Sequence, residues 1–299
     1  KAERDIINNS PENSFSLSVS LPFCPTRCSY CSFVSHSIAT ENAKKLVPEY
    51  VDKLCEEICF VGKKARELNL MLTTVYWGGG TPTTLSAEQL DKILFAIEEN
   101  FDLSDCKEYT VEAGRPDTIT AQKLQVLKNH NVNRISINPQ TFNDSVLKEI
   151  GRCHTTELTV KTYELARKTG FDVINMDLIA GLPTDTVDSF KNSVNRAIEL
   201  GAENITVHTL ALKRSSTLVT EDETDSVTQN HIEEMLDYSR EALTEAGYHP
   251  YYMYRQSKAL GNFENVGWCK KGKECEYNIL MMEEYQHILS VGAGSVTKL

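Results

Sequence analysis

Three of the nine cysteines in this sequence fall within the stretch PFCPTRCSYCSF: Cys24, Cys28 and Cys31, spaced C-x3-C-x2-C. Thiolates this close in sequence can converge on one metal centre. Structural zinc takes four protein ligands in a closed tetrahedron. The nearest fourth is His36, whose C-x4-H spacing matches no familiar finger. An iron–sulfur centre also takes thiolates, commonly four. Three cysteines on one cubane would leave an iron open, and an open iron can hold a substrate. The stretch alone leaves both chemistries standing.

A second stretch, WGGGTPTTL (Trp77 to Leu85), follows the next strand-like segment. Its glycines permit close backbone approach and unusual dihedral angles. It is neither a Walker loop, lacking Gly-Lys-Ser/Thr, nor the G-x-G-x-x-G dinucleotide fingerprint. Further polar residues stand near the ends of apolar runs: Glu112 in VEAGRPDTIT, Gln140 in RISINPQTFN, Arg152 in IGRCH and Asp177 in INMDLIAGLP. Polar groups buried there need partners. The plainer account makes Glu112 and Arg152 an ion pair and Asp177 the cap of its own turn.

These residues require a scaffold, and the sequence has a strand–helix rhythm. FSLSVSL (15–21) alternates as a strand and runs straight into the cysteines. Strands are also expected at 73–77, 108–113, 133–138, 172–183 and 204–212. Helical spacing predicts helices over 48–69, 86–100 (capped by Ser86), 120–131, about 143–151, about 155–170 and 186–201. Six strands with intervening helices imply an α/β fold with a parallel sheet and right-handed crossovers, barrel-like or doubly wound. Beyond about 215 the rhythm loosens into an acidic Thr/Ser-rich loop, a helix near 228–247 and YHPYYMYRQ. The polar start and the closing HILSVGAGSVTKL read as ends cut from a longer chain.

Together these stretches resemble the radical S-adenosylmethionine (SAM) superfamily, whose defining motif is C-x3-C-x2-C. The GGGTP turn after Leu21-Pro22-Phe23-Cys24 is similar to its coproporphyrinogen III dehydrogenase and heme-chaperone group. EAGRPDT, YYMYRQ, GNFENVGW and VGAGS look most like the coproporphyrinogen dehydrogenase branch found beside the main enzyme. The resemblance implies a partial (β/α)6 barrel over residues 15–247, a tail at 1–14 and the start of a small C-terminal element at 248–299. It implies that Cys24, Cys28 and Cys31 hold a [4Fe–4S] cluster whose fourth ligand is SAM. It further implies that Gly79, Gly80, Thr81, Glu112, Gln140, Arg152, Asp177 and Ala211 line the SAM site; no catalytic residue is assigned.

The implied reaction is oxygen-independent oxidative decarboxylation of coproporphyrinogen III propionates to vinyl groups. An electron donor such as flavodoxin or ferredoxin would feed the cluster. A heme-binding chaperone and a heme-degrading methyltransferase are the alternatives. The main dehydrogenases carry a further cysteine where this chain has Phe33, which the chaperones also lack. A tyrosine and a histidine usual before the motif are here Ser18 and Ser20, and the chaperones' histidine before an asparagine is Tyr277.

Composition narrows the rest. A net charge of −11 without a long basic run argues against nucleic acid as the main partner. No apolar run is long enough to span a membrane, and the polar first residues lack a secretory signal, so cytoplasm is the expectation. Cys55 and Cys59 read as buried helix thiols, and Cys106 and Cys153 as core or half-buried. Cys269 and Cys275 are too few ligands for an auxiliary cluster. Propionates would need cations, for which Lys213, Arg214 and Arg255 are candidates.

Overall fold

A computed structural model describes residues 2–31, 36–211 and 226–299. The chain opens with α1 (Ala2–Asn8) and β1 (Ser14–Leu21). Two short parallel strands, β2 (Phe23–Cys24) and β3 (His36–Ser37), bracket the cysteine loop. Then follow α2 (Glu41–Glu67), β4 (Met71–Gly79), α3 (Ala87–Asn100), β5 (Glu108–Gly114), α4 (Ala121–Asn129) and β6 (Arg134–Ile137). The second half adds α5 (Asp144–Glu149), α6 (Thr156–Thr169), β7 (Val173–Ala180), α7 (Val187–Leu200) and β8 (Asn204–Thr209). It closes with α8 (Ser226–Glu245), β9 (His249–Tyr254), β10 (Asn265–Cys269), α9 (Glu276–Met282) and β11 (His287–Val291).

One nine-stranded sheet has the order β11-β1-β4-β5-β6-β7-β8-β10-β9. The six strands β1 and β4 to β8 are parallel, so the expected α/β architecture holds. β11 adds a parallel strand beyond β1, and β10 and β9 add two antiparallel strands beyond β8. The C-terminal residues therefore pair with both edges of the parallel sheet, which would otherwise present unpaired backbone.

The period of two along each strand divides the residues between two faces. One face carries Leu17, Val19, Val75, Trp77, Val111, Ile135, Ile174, Met176, Ile205 and Val207, all buried in one core with Leu54, Ile58, Leu90, Ile97, Leu127, Phe190 and Val194 of the crossover helices. The other, inner face carries Ser16, Ser18, Thr74, Tyr76, Thr110, Glu112, Ser136, Asn175, Asp177, Thr206 and His208. It is covered by a hydrophobic cluster of Tyr251, Tyr277, Ile279 and Ile288 against Tyr76 and Tyr252. Alternation in FSLSVSL thus encodes an apolar back and a polar front.

Helix ends follow their capping residues. Ser86 and Gln89 form a reciprocal capping box, and Gly201, left-handed at φ 80°, stops α7. α2 starts seven residues before the expected 48, at Glu41, because Thr40 caps it. Pro48 then lies inside the second turn, where it removes one helical hydrogen bond. α1, β10 and α9 lie in segments whose sequence shows no clear period.

Candidate functional site

The cysteine loop leaves the C-terminal end of β1, where parallel α/β sheets place their chemistry. Its backbone is tied at several points: His36 N donates to Pro22 O (2.6 Å), Ile38 N to Cys24 O (2.9 Å) and Ser29 N to Ile150 O (3.1 Å). Cys31 N donates to Cys28 O (3.1 Å), so those two thiols project from one tight turn. All three thiols are free of disulfides; Cys28 is buried, while Cys24 and Cys31 are partly exposed.

The glycine turn packs directly beneath this loop. Gly80 N donates to Leu21 O (2.5 Å) and Thr81 N to Phe23 O (2.9 Å), extending the β1–β4 ladder past the strand ends. Gly79 has φ +97°, and a Cβ on it would stand 2.8 Å from Leu21 O. Only glycine lets the two backbones run so close. Thr81 Oγ1 lies 3.5 Å from Cys24 Sγ.

Two arginines flank the loop. Arg115, 3% exposed, donates through Nη1 to Thr26 Oγ1 (2.7 Å) and lies 4.0 Å from Cys28 Sγ. Its remaining edge makes a bidentate pair with Asp117 (3.1 and 3.0 Å). Arg152 Nη2 donates to Tyr30 Oη (2.7 Å), and burial raises the Tyr30 phenol above its usual value despite that guanidinium. Behind them His154 is buried; desolvation and the charges of Arg152 and Arg115 outweigh Asp117 and push it down to about 4.

Glu112 and Arg152 do not form an ion pair. Glu112 instead accepts a hydrogen bond from Tyr76 Oη on the neighbouring strand. Burial, with a smaller push from Asp177, raises its carboxyl to about 7 against the opposing Tyr76 hydrogen bond and His208 charge. Asp177 caps no turn either, because it sits inside β7 facing inward. Burial pushes its carboxyl up, but His208 (3.6 Å), Asn175 (2.8 Å) and Thr206 outweigh that and hold it below the usual range. His208 is held in turn by Tyr254 Oη (3.2 Å).

Gln140 adopts φ +68° just beyond β6, where its N–H donates to Asp177 O (2.9 Å) and its carbonyl accepts from Ile179 (3.0 Å). Ala211, just beyond β8, pairs with Ala259 of the C-terminal residues. Every candidate therefore sits on or just past the C-terminal half of a parallel strand, save Arg152, which the α5–α6 loop carries to Tyr30.

Several side chains here were given no site role from the sequence. Tyr30 stands inside the cysteine motif itself, and Arg115 in GRPD beside Glu112. Tyr76 alternates with Gly78 on the inner face, a signal the strand period offered. Tyr277 arrives from α9: its ring stacks on Tyr76 (4.4 Å, 15°) and its hydroxyl meets Ser18. Other expectations need correcting. Cys59 and Cys153 are exposed rather than buried, since each lies on the outward side of its helix or loop. Arg255 forms an exposed ion pair with Glu264 (2.9 Å) instead of facing the site. Lys213, Arg214 and Phe33 lie outside the described residues.

The residues fit a bound cluster and SAM on two counts. Three thiols outside any disulfide, at one loop, supply the donor set for iron. Beside them Arg152 Nε and Nη1, Gln140 Oε1 and Asn138 Oδ1 are buried without hydrogen-bond partners. Such groups cost free energy unless a ligand satisfies them. The cationic ones suit a carboxylate, and the amide oxygens suit hydroxyls or an amine.

Comparison with known proteins gives a consistent picture. Residues 18–197 match the family model of the radical SAM superfamily. The chain is 41% identical over 289 residues to an oxygen-independent coproporphyrinogen-III oxidase-like protein, HemZ, of Bacillus subtilis, covering 96% of this chain and 57% of that protein. It is 33% identical to the heme chaperone HemW of Bacillus subtilis, covering 93% of this chain and 69% of the relative. Among solved structures, coproporphyrinogen III oxidase (HemN) of Escherichia coli superposes with TM-score 0.74 at 23% identity, covering 98% of this chain and 66% of that one.

Proposed function

The chain belongs to the radical SAM superfamily, whose members use a [4Fe–4S] cluster and SAM, and from that premise we propose that it oxidatively decarboxylates coproporphyrinogen III propionates without oxygen. The observation that carries the reading is the cysteine loop with its unpartnered neighbours, in a chain 41% identical to a coproporphyrinogen-III oxidase-like protein. That relative is longer; the chain spans 57% of it.

In this reading Cys24, Cys28 and Cys31 hold the cluster, while Arg152, Gln140, Glu112, Asp177 and the backbone of Gly79, Gly80, Thr81 and Ala211 hold SAM. When bound, the two together would use an electron from a donor such as flavodoxin or ferredoxin to supply a carbon radical able to take hydrogen from a propionate side chain, whose loss of carbon dioxide leaves the vinyl group and one electron for a separate acceptor. The protein contributes position. The Arg115–Asp117 pair fixes Thr26 and the turn holding Cys28. Arg152 offers two N–H edges to a carboxylate. Glu112, whose carboxyl burial raises to about 7, can donate as well as accept at one carboxyl oxygen. The aromatic cluster of Tyr251, Tyr252 and Tyr277 keeps water off the inner face.

A second reading is heme binding without decarboxylation, favoured by 33% identity to a heme chaperone over nearly the whole chain. The two separate in one experiment on the full-length protein, loaded anaerobically with iron, sulfide, SAM and a reductant. Release of 5′-deoxyadenosine that rises with coproporphyrinogen III and tracks vinyl product supports the enzyme. Release indifferent to that substrate, with stoichiometric heme binding on titration, moves the assignment to the chaperone.

A further inference from the structure

At the opposite end of the sheet from the cysteine loop, three side chains of different donor type converge. His249 opens β9 and Cys269 closes β10, and the two are direct partners in the antiparallel register. Cys269 also pairs with Asn204, the first residue of β8, so the group lies seven residues, about 23 Å of extended strand, from Ala211 at the other end. His249 Nε2 is 3.4 Å from Cys269 Sγ and 2.9 Å from Glu274 Oε1, and all three donor atoms lie within 4.8 Å of one another.

We propose that His249 Nε2, Cys269 Sγ and Glu274 Oε1 form a mononuclear site for a zinc-type divalent cation, with solvent as the fourth ligand. A tetrahedral zinc with ordinary bond lengths sets donor separations of about 3.6 Å for nitrogen to sulfur and about 3.4 Å for nitrogen to oxygen. The two observed separations need open by no more than about half an ångström.

The charges balance. A thiolate, a carboxylate and a neutral imidazole carry −2 together, and a divalent cation neutralises them in a largely enclosed place. Cys269 is fully buried and Glu274 is 12% exposed at its side chain, while His249, at 38%, leaves a face open to water. The borderline-soft mixture of sulfur, nitrogen and oxygen suits zinc better than magnesium or calcium, which prefer oxygen alone.

The ligands are held in advance. Lys270 N donates to Glu203 O (2.9 Å), and Asn204 Nδ2 donates to Lys273 O (2.8 Å). Arg134 donates to the carbonyls of Lys273 (3.2 Å) and Glu274 (3.4 Å), its own charge facing Glu108 (4.0 Å). The nearby Lys270 ammonium points away, to Gly201 O (2.8 Å). A cation here would clamp the β9–β10 hairpin to the segment entering α9, which carries Tyr277 to the inner face.

The test uses the full-length chain with Cys24, Cys28 and Cys31 all changed to alanine, so that no cluster thiolate competes for zinc. After equilibration with zinc and desalting, elemental analysis should find one zinc per chain. Cys269→Ala or His249→Ala in that background should abolish it, whereas Cys59→Ala, which removes an exposed thiol, should not. Cobalt loading should show a thiolate-to-cobalt charge-transfer band that Cys269→Ser removes. Should the triple variant fail to fold, the same count on cluster-loaded wild-type protein, with zinc expected beside iron, replaces it. No retained zinc, or zinc that survives both Cys269→Ala and His249→Ala, overturns the proposal. Because cluster assembly is not involved, this result stands apart from the radical SAM reading.

Discussion

The cysteine end and the tyrosine-lined inner face are both polar and both largely buried, yet their hydrogen bonding differs. On the inner face Tyr76 meets Glu112, Tyr277 meets Ser18 and Tyr76, and Asp177, Asn175, Thr206, His208 and Tyr254 form one chain, with the Ser136 hydroxyl the exception that lacks a partner. At the cysteine end Arg152, Gln140 and Asn138 keep buried donors and acceptors without partners. A satisfied network rigidifies, whereas unsatisfied groups store binding free energy for a ligand. The difference teaches which end awaits a cofactor and which end holds its walls in place.

The comparison breaks most sharply at the cysteines. Cys28→Ala should abolish iron loading and all SAM cleavage while the inner face stays folded; elemental iron and circular dichroism read the two separately. Next, Arg115→Met removes the buried guanidinium that ties the solvent-accessible Asp117 to Thr26 and should destabilise the chain by about 2 kcal/mol, with loss of iron on desalting. Urea unfolding measures the first and iron content the second. Arg152→Gln should weaken SAM binding on the order of 10–100-fold, the worth of a charge-assisted hydrogen bond, and calorimetry of the cluster-loaded protein measures it.

The pH responses of the two ends should run in opposite directions. Glu112 is raised to about 7, so the stability it lends is full below its unfolded value and is lost as pH rises through about 7. Glu112→Gln should flatten that slope. His154 is lowered to about 4, so the stability it lends is full above its unfolded value and is lost as pH falls toward about 4. Unfolding titrations across both windows check the signs. The smallest effect is expected from Tyr277→Phe, which removes one hydroxyl from Ser18 and keeps the stack on Tyr76, at roughly 1 kcal/mol in thermal unfolding.

Much of the cysteine end was legible in the sequence, because its signals are local. The C-x3-C-x2-C spacing, the GGGTP turn and the alternation of FSLSVSL each act within a dozen residues. The six parallel strands followed from hydrophobic period alone. The inner face was less legible, because its partners lie far apart: Tyr277 reaches Ser18 across 259 positions of sequence. No spacing rule pairs Glu112 with Tyr76 rather than Arg152; sheet register decides that. Nor does period reveal β10 or α9, which take their form from pairing with β8 and packing on Tyr76. The His249, Cys269 and Glu274 cluster has the same origin, since only the hairpin register brings His249 beside Cys269.

The most direct test of the central claim is electron paramagnetic resonance of the reduced, reconstituted protein with and without SAM. If Cys24, Cys28 and Cys31 hold a cluster with one iron open to SAM, the reduced signal shifts when SAM is added, and Arg152→Gln requires more SAM for the same shift. A reduced cluster whose spectrum ignores SAM, or a protein that holds no four-iron centre at all, would contradict the account.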